Sequence, residues 1–514
     1  MPRRYIALAG LFAAAVALVC ASGMPGLIDP DGFSHLAYTR RLWESGFSLR
    51  GHPFLPFTML GDTGVDPWLG FHYLLLPFLP FGDLWGARLA GAAIAGGLAA
   101  TLAWAIGRMS PGGGGAPWWL ALAPLSLGVF LIRDQTARPG HVSTALMLVQ
   151  LVAGAGFVSP VAALAAGFAH GLVHLSSPFS PIFCMLGFAG ARGGFRRTGA
   201  GSSRAVLWSV GGVALALLVR PDRALLCAEG LAQTLLVFGK SLPHGSAEVG
   251  ERGVAIFLRE GWPLFLLCIA ALVAGLRRER CGEPPAVRAA LLAVLVSCLM
   301  MVVALRFVDY GAPCIALLTA MLWPRAPALG TRGIGIRRWL AAVAALAFAW
   351  LLPLNVRRCW DVGHHFYDEP AAFERIAASV RKTVPPGSVI FTDDAWMTQI
   401  LLSYLPEYRY LLAYDPVLLY MGSPQLFWLW HHAVGEGIDC PAPACGPQRP
   451  SGAAVARVLS DFGTSYAVTS TPRGKLSMQE VMARDPSRFD LVELSPGQAY
   501  GLYFWRLRPG ARMH

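Results

Sequence analysis

The sequence predicts a polytopic α-helical membrane protein, with about eleven transmembrane helices in residues 1–354 and a C-terminal soluble α/β domain in residues 355–514. Three observations predict this class. Of the 514 residues, 55% are hydrophobic and only 14% are charged, whereas soluble domains carry about 25% charged residues. Apolar runs of roughly 16–24 residues, the length that spans a bilayer, recur up to residue 354 and then stop. Beyond that point, shorter helix-like and strand-like hydrophobic patterns alternate.

The apolar runs give the positions of the predicted spans. They lie near residues 5–24, 84–107, 117–132, 142–158, 160–175, 178–191, 205–219, 261–276, 287–305, 309–323 and 338–354. Residues 1–24 also fit a cleaved signal peptide, but the apolar run is long and Ala21-Ser22-Gly23-Met24 is a poor cleavage site, so we expect a retained anchor. Two outer loops, near 25–83 and 220–260, are long enough to indicate a functional role.

Membrane topology explains the net charge of +12 better than a nucleic-acid partner does. With the N-terminus in the cytoplasm, the predicted cytoplasmic segments carry fifteen arginines against two acidic residues, Glu279 and Glu283. The outer loops and the region after residue 354 are close to neutral. Because cytoplasmic loops are enriched in basic residues, we expect a multi-pass protein of the bacterial cytoplasmic membrane, with its C-terminal domain in the periplasm or outside the cell.

The region after residue 354 has the pattern of a small α/β domain. The predicted elements are helices at 370–382 and 453–462, strands at 388–392, 408–414 and 464–470, and a hairpin of 490–493 with 500–506. Strands that alternate with helices predict a mostly parallel core. Cys440 and Cys445 bracket a short loop in this region and either form a disulfide bond in an oxidising compartment or remain free thiols.

The first outer loop carries the strongest candidates for chemistry. A helix over Gly32–Ser45 would place Asp31 and His35 one turn apart on one face. Carboxylates at a membrane surface are costly unless they bind a cation, a basic side chain or a reacting hydroxyl. The alternative is that Asp29 or Asp31 caps the helix. The apolar residues expected along the membrane interface are Phe33, Leu36, Ala37 and Trp43.

The segment Asp29-Pro30-Asp31-Gly32-Phe33-Ser34-His35-Leu36, directly after the first span, resembles the first outer loop of GT-C glycosyltransferases. It is most similar to the oligosaccharyltransferase-like branch and to bacterial relatives with a terminal outer domain. The resemblance implies that Asp31, with Asp29 as second choice, is the catalytic base or a metal or acceptor ligand. Residues 62–73 resemble the return segment of the same loop, which implicates Asp66 and His72 in substrate binding together with His35.

The resemblance also implies the partners. The donor is a polyprenyl-phosphate sugar in the lipid bilayer, and the acceptor is an extracytoplasmic glycan, lipid or protein. A divalent cation, Mg or Mn, is an optional cofactor, with Asp31 and Asp134 as its ligands if one is bound. The terminal region lacks a WWDYG-like motif, and the nearest string, Phe307-Val308-Asp309-Tyr310-Gly311, lies at a span edge. This departure favours transfer of a monosaccharide over transfer of a whole oligosaccharide to Asn.

Three further outer segments carry polar residues. Between spans 3 and 4, guanidinium groups suit a lipid phosphate, although both arginines alternatively extend to the membrane interface; the candidates are Arg133, Asp134, Arg138 and His141. His170 and His174 suit a metal less well than they suit ordinary packing within the bundle. Arg306 and Asp309 are either substrate-binding or a structural ion pair.

The terminal domain offers a weaker candidate surface. Asp393, Asp394 and Asp415 follow predicted strands, where ligand sites gather in α/β domains. Its aromatic residues suit sugar stacking, although packing in the core is the more ordinary role; they include Trp396, Tyr404, Tyr408, Tyr410, Trp428 and Trp430, beside His431 and His432. The resemblance to GT-C glycosyltransferases, with the polar outer segments, therefore implies an inverting membrane glycosyltransferase. The alternative is a non-catalytic transporter, flippase or assembly partner for lipid-linked glycans. Transporters place charged residues near the midplane of the bilayer, whereas the acidic residues of this sequence are predicted to lie at one membrane surface.

Overall fold

The computed structural model describes most of the chain. The described residues are 2–27, 29–62, 64–110, 117–192, 203–220, 285–303, 307–323, 330–366, 370–470, 477–496 and 501–510, with isolated positions between 222 and 269. They form a bundle of apolar helices followed by a smaller domain built on one sheet.

Nine of the predicted spans each coincide with one α-helix. These helices are α1 (Arg3–Ser22), α5 (Gly82–Met109), α7 (Pro139–Gly154), α8 (Pro160–Val173), α9 (Phe179–Arg192), α10 (Ser203–Val219), α11 (Pro285–Val303), α12 (Val308–Leu322) and α13 (Gly330–Phe366), numbered in chain order with the shorter helices given below. Within the described residues, three apolar helical stretches are long enough to cross a membrane: Arg3–Ser22, Leu69–Met109 and Ala341–His364. The span count of eleven therefore stays a prediction.

Two predicted spans differ from this pattern. Residues 117–132 do not form one helix, because Pro124 interrupts the backbone hydrogen bonds of an α-helix. A 3₁₀ helix, Trp118–Ser126, is followed instead by the short helix α6, Gly128–Asp134. The predicted span 261–276 lies outside the described residues, apart from single positions.

Small residues let the membrane helices approach closely, and large apolar residues face outward. A Cβ atom on Gly10 of α1 would lie 3.0 Å from the carbonyl oxygen of Gly96 on α5. A Cβ atom on Gly212 of α10 would clash with the carbonyl oxygen of Leu164 on α8. Close backbone contact of this kind is typical of helix packing in membranes. The outward-facing residues include Leu11, Leu207, Leu346 and Trp350, each more than two-thirds exposed and placed to contact lipid.

The first outer loop folds into three short helices and a 3₁₀ turn. These are α2 (Asp31–Glu44), α3 (Met59–Asp62), α4 (Leu69–Leu75) and the 3₁₀ helix Leu76–Phe81. The helix predicted over 32–45 is confirmed to within one residue at each end. Its expected interfacial position is wrong, because Phe33, Leu36 and Ala37 are buried, and α2 packs between α5 and a helix of the terminal domain. Only Trp43 among the four apolar residues is exposed.

The terminal domain has one five-stranded sheet. Its elements are α14 (Pro370–Thr383), β1 (Val389–Thr392), α15 (Ala395–Tyr404), β2 (Arg409–Tyr410), α16 (Val417–Gly422), α17 (Pro424–Glu436), α18 (Gly452–Asp461), β3 (Tyr466–Ser470), α19 (Met478–Arg484), β4 (Phe489–Ser495) and β5 (Leu502–Leu507). The strand order is β2-β1-β3-β5-β4. The bond between Cys440 and Cys445 is formed.

Two details of this domain differ from the sequence prediction. The sheet is mixed rather than mostly parallel, since β1 pairs in parallel with β2 and β3, while β5 pairs antiparallel with β3 and β4. The strand predicted over 408–414 is only Arg409–Tyr410, and the backbone N–H of Tyr410 donates to the carbonyl oxygen of Phe54 in the first outer loop. Because α13 continues past residue 354 to Phe366, the division of the chain at residue 354 stays an expectation.

Candidate functional site

A cavity of about 190 Å³ lies between the helical bundle and the terminal domain. The bundle contributes residues from four segments: the first outer loop, the segment around the α6–α7 connection, the end of α8 and the start of α12. These residues are Asp31, His35, Trp68, Arg133, Arg138, Pro139, Gly140, His174, Leu175, Asp309 and Tyr310. The terminal domain contributes Trp396, Gln399, Tyr414 and Asp415. The outer polar segments identified in the sequence therefore meet at one cavity.

Asp29 and Asp31 have different surroundings although they are neighbours. The guanidinium group of Arg138 contacts the carboxylates of both, and its Nη2 lies 3.3 Å from Asp31 Oδ2. The backbone N–H of Asp31 donates to Asp29 Oδ1 over 3.0 Å, so Asp29 supports the start of α2. The side chain of Asp31 is 28% exposed and that of Asp29 is 10% exposed. Only Asp31 of the two contributes to the cavity wall.

Arg133 and Asp309 form a bidentate ion pair in the wall of the cavity. Arg133 Nε donates to Asp309 Oδ1, and Arg133 Nη2 donates to Asp309 Oδ2, both over 2.8 Å. His141 is fully buried behind this pair, with Nε2 3.7 Å from Asp309 Oδ1. The structural ion pair that the sequence left open for Asp309 is thus made with Arg133. Arg306 lies outside the described residues, and so does the side chain of Asp134.

The acidic groups of this region exceed its guanidinium groups among the described residues. Asp29, Asp31 and Asp309 share two guanidinium groups, those of Arg133 and Arg138. An excess of negative charge is compatible with a bound cation. The described carboxylates nevertheless converge on arginines rather than on a common point. The described groups of three metal-ligand side chains lie around His432 in the terminal domain. The side chain of Asp134, one of the two expected ligands, lies outside the described residues, so the optional Mg or Mn ion stays a prediction.

A second polar cluster is buried behind His35. Asp66 Oδ2 accepts a hydrogen bond from His72 Nδ1 over 2.8 Å, and His72 Nε2 lies 3.0 Å from His35 Nδ1. His52 Nε2 lies 3.9 Å from Asp66 Oδ1. His35 contributes to the cavity wall, whereas Asp66 and His72 do not. The three residues predicted to bind substrate therefore form a chain with only one end at the cavity.

Arg220 and Asp222 hold the backbone of Asp66 in this cluster. Arg220 Nε and Nη2 donate to Asp222 Oδ1 and Oδ2 over 2.9 and 2.7 Å. The backbone N–H of Asp66 donates to Asp222 Oδ2 over 3.2 Å, and Arg220 donates to the carbonyl oxygen of Asp66. Neither residue was a candidate from the sequence. The signal was present, because Arg220-Pro221-Asp222 follows an apolar run in the same way as Arg306 and Asp309 do.

Burial sets the protonation states of the cluster. Burial raises the pKa of Asp66, but the neighbouring His72, its hydrogen bond and His52 outweigh burial and bring the pKa down to about 2. Burial lowers the pKa of His52 to about 3. Burial and the adjacent His72 lower the pKa of His35 well below its ordinary value. At neutral pH, Asp66 is therefore a carboxylate, while His35 and His52 are neutral.

The remaining sequence candidates divide between structural roles and the cavity. His170 is hydrogen-bonded to the hydroxyls of Ser180 and Ser176, each over 3.0 Å, as expected for a histidine within the bundle. His174 contributes to the cavity wall. In the terminal domain, Asp394 caps α15 through the N–H of Trp396 over 2.8 Å. Trp396 does not pack in the core of the terminal domain, because it is 42% exposed and lines the cavity.

No protein-family model matches the chain, and no curated protein matches it in sequence. In structure it is similar to ArnT from Cupriavidus metallidurans bound to undecaprenyl phosphate, with 15% identity and a TM-score of 0.57 over 98% of this chain and 98% of that chain. It is also similar to the arabinofuranosyltransferase AftD from Mycobacteria, with 14% identity and a TM-score of 0.55 over 99% of this chain and 40% of that chain. The chain therefore shares the fold of these two structures.

Proposed function

We propose that this protein is an inverting membrane glycosyltransferase that transfers a sugar from a polyprenyl-phosphate donor to a hydroxyl group of an extracytoplasmic acceptor. The observation that carries the proposal is the cavity in which Asp31, Arg133 and Arg138 meet the terminal domain. The GT-C fold supports the same reaction class, since one similar structure holds undecaprenyl phosphate and another is an arabinofuranosyltransferase. The basic loops predict an N-terminus in the cytoplasm, and we therefore propose that this cavity faces the periplasm of a bacterium.

Asp31 is the proposed base. It lies at the cavity, whereas Asp29 is buried beneath it and engaged by Arg138 and by the start of α2. A base must reach the reacting hydroxyl within hydrogen-bond distance, and of the two carboxylates only that of Asp31 contributes to the cavity wall. Asp31 accepts the hydroxyl proton as the acceptor oxygen forms its bond to the anomeric carbon. The bond between that carbon and the phosphate oxygen breaks, and polyprenyl phosphate leaves with the bonding electrons.

Arg138 and Arg133 are the proposed phosphate ligands. Both line the cavity, and each is paired with aspartate. Arg138 Nη2 contacts the carboxylates of both Asp29 and Asp31. A donor phosphate that binds Arg138 competes with Asp31 for this guanidinium group. Donor binding thereby loosens Asp31 and lets it act as a base.

The terminal domain is proposed to complete the sugar-binding part of the cavity. Trp396 presents an exposed indole ring there, and Gln399, Tyr414 and Asp415 supply polar groups. Aromatic faces and hydrogen-bonding side chains together are the usual means of holding a small polar ligand in a pocket. The domain therefore supplies part of the site itself, in addition to its packing against the bundle. No step of this mechanism requires a metal ion.

Donor consumption by purified protein tests the proposal. The full-length chain in nanodiscs is incubated with a panel of polyprenyl-phosphate sugars and candidate glycan, lipid and protein acceptors, and released polyprenyl phosphate is measured. We expect release to depend on one donor and one acceptor. The alternative function, movement of lipid-linked glycans, predicts that fluorescent lipid-linked sugar crosses the bilayer of proteoliposomes without any release. Transbilayer movement without release would overturn the proposal.

A further inference from the structure

The buried chain Asp66–His72–His35 determines which hydrogen-bonding role His35 has toward the cavity. The carboxylate of Asp66 accepts hydrogen bonds from the N–H of Trp68 over 3.0 Å and from His72 Nδ1 over 2.8 Å. Because an ionised carboxylate has no hydrogen to donate, His72 carries its proton on Nδ1. The second nitrogen of a neutral imidazole is an acceptor. When the His72 ring is neutral, its Nε2 is therefore an acceptor that faces His35.

The same reasoning extends to His35. Its Nδ1 lies 3.0 Å from the accepting Nε2 of His72, so Nδ1 carries the proton and donates. Burial keeps the imidazole neutral, since His35 is 2% exposed and lies 5.1 Å from the rings of Trp68 and Phe71. In a neutral histidine protonated on Nδ1, Nε2 is unprotonated and accepts a hydrogen bond. Because Nδ1 is engaged by His72, Nε2 is the atom that His35 offers to a molecule in the cavity.

The chain is held in place from several sides. The buried pair of Arg220 and Asp222 binds both backbone polar groups of Asp66. The ring of Tyr38 lies 4.3 Å from the ring of His72. A histidine whose partner is fixed in this way keeps one ring orientation and one tautomer. Asp66 and His72 therefore set the proton position on His35 without contacting the cavity themselves.

We propose that His35 Nε2 is a hydrogen-bond acceptor for a ligand hydroxyl, and that Asp66 and His72 are positioning residues that hold His35 in this tautomer. An ionised phosphate has acceptor oxygens only, so it gains nothing at Nε2 and favours the guanidinium groups of Arg133 and Arg138. The cavity thus has one end for a hydroxyl and another for a phosphate. That the hydroxyl belongs to the transferred sugar or to the acceptor rests on the proposed function.

The proton position is measured directly by magic-angle-spinning NMR on the full-length protein in lipid with ¹⁵N-labelled histidine. Neutral histidines protonated on Nδ1 or on Nε2 have distinct nitrogen shifts, and the His35→Phe variant identifies the His35 signal. We expect His35 to be neutral and protonated on Nδ1 at pH 7.5. The Asp66→Asn variant should shift part of this signal to the other tautomer, whereas Asp439→Asn should not. An imidazolium or an Nε2–H signal for His35 in the wild type would overturn the proposal, whatever reaction the protein catalyses.

Ligand binding distinguishes the two sources of the hydroxyl. Undecaprenyl phosphate has no sugar hydroxyl, so the His35→Phe variant should bind it as the wild type does, which also verifies the fold. A sugar hydroxyl at His35 predicts that affinity for the sugar-loaded donor found in the release assay falls about tenfold. An acceptor hydroxyl predicts instead a similar rise in the KM of the acceptor, with donor affinity unchanged. If neither value changes, His35 does not accept a ligand hydroxyl and the proposal fails.

Discussion

His52 should make the stability of the folded protein fall as the pH is lowered from neutral. Its side chain is fully buried, with its ring stacked 4.3 Å from the ring of Tyr38. Burial lowers its pKa from 6.5 to about 3 in the folded chain, while an unfolded chain retains the ordinary value. Folding stability from this group is therefore fully present above pH 6.5 and is lost as the pH falls toward 3, because the unfolded state takes up the proton first.

The size of the effect follows from the two pKa values. At pH 5, His52 in the unfolded chain is protonated and His52 in the folded chain is neutral. Each pH unit below 6.5 then costs about 1.4 kcal/mol of folding free energy, which gives a loss of roughly 2 kcal/mol at pH 5. Replacement by phenylalanine keeps the ring against Tyr38 but removes the titrating group. The His52→Phe variant should therefore lose less stability than the wild type between pH 7.5 and pH 5.

Thermal unfolding in detergent, followed by tryptophan fluorescence at pH 7.5, 6 and 5, measures this difference. A change of this size should appear as a difference of a few degrees between the two pH-dependent shifts of Tm. His364 is exposed, so His364→Phe is the matched control and should follow the wild type. Equal pH-dependent shifts for wild type and His52→Phe would refute the assignment of His52 as a buried neutral histidine.

Three further predictions concern the cavity. Asp309→Asn should destabilise the fold by about 3–5 kcal/mol in thermal unfolding, because the guanidinium group of Arg133 loses a buried bidentate partner. The control Asp439→Asn removes an exposed ion pair and should cost at most about 1 kcal/mol. Equal losses of stability in the two variants would contradict this prediction. Arg138→Lys should weaken undecaprenyl phosphate binding about tenfold in a titration, because lysine keeps the positive charge but lacks the paired N–H donors of a guanidinium group. Unchanged affinity would mean that the phosphate binds elsewhere. Trp396→Ala should raise the KM for donor or acceptor about tenfold through loss of ring stacking, and unchanged kinetics would exclude that contact.

Much of the fold was predictable because hydrophobic patterns report burial in lipid directly. Runs of apolar residues located nine helices, and the helix over α2 was correct to one residue at each end. A hydrophobic pattern shows that one face of a helix is apolar. It does not show whether that face packs against lipid or against another part of the protein. Phe33, Leu36 and Ala37 are apolar as for a membrane interface, but they are covered by α5 and by α15 of the terminal domain.

The candidate site was predictable to the extent that topology gathers charged residues on one face. Asp31, Arg133, Arg138 and Asp309 were all expected there, and all contribute to one cavity. The pairing of charges was not predictable, since Arg133 binds Asp309 across 176 positions of sequence. Gln399 had no signal at all, because a lone glutamine within a helix is ordinary. The roles of these residues in binding and catalysis stay predictions.

Asp31 is the proposed base of a sugar transfer at this cavity. This role is tested most directly by transfer of radiolabelled sugar from the polyprenyl-phosphate donor by wild type, Asp31→Asn and Asp29→Asn protein in the same membranes. Asp31→Asn should lower the turnover number by roughly 10²–10⁴-fold while leaving undecaprenyl phosphate bound. Asp29→Asn should reduce turnover less, because an asparagine oxygen still accepts the backbone N–H of Asp31. Full turnover by Asp31→Asn would contradict the account.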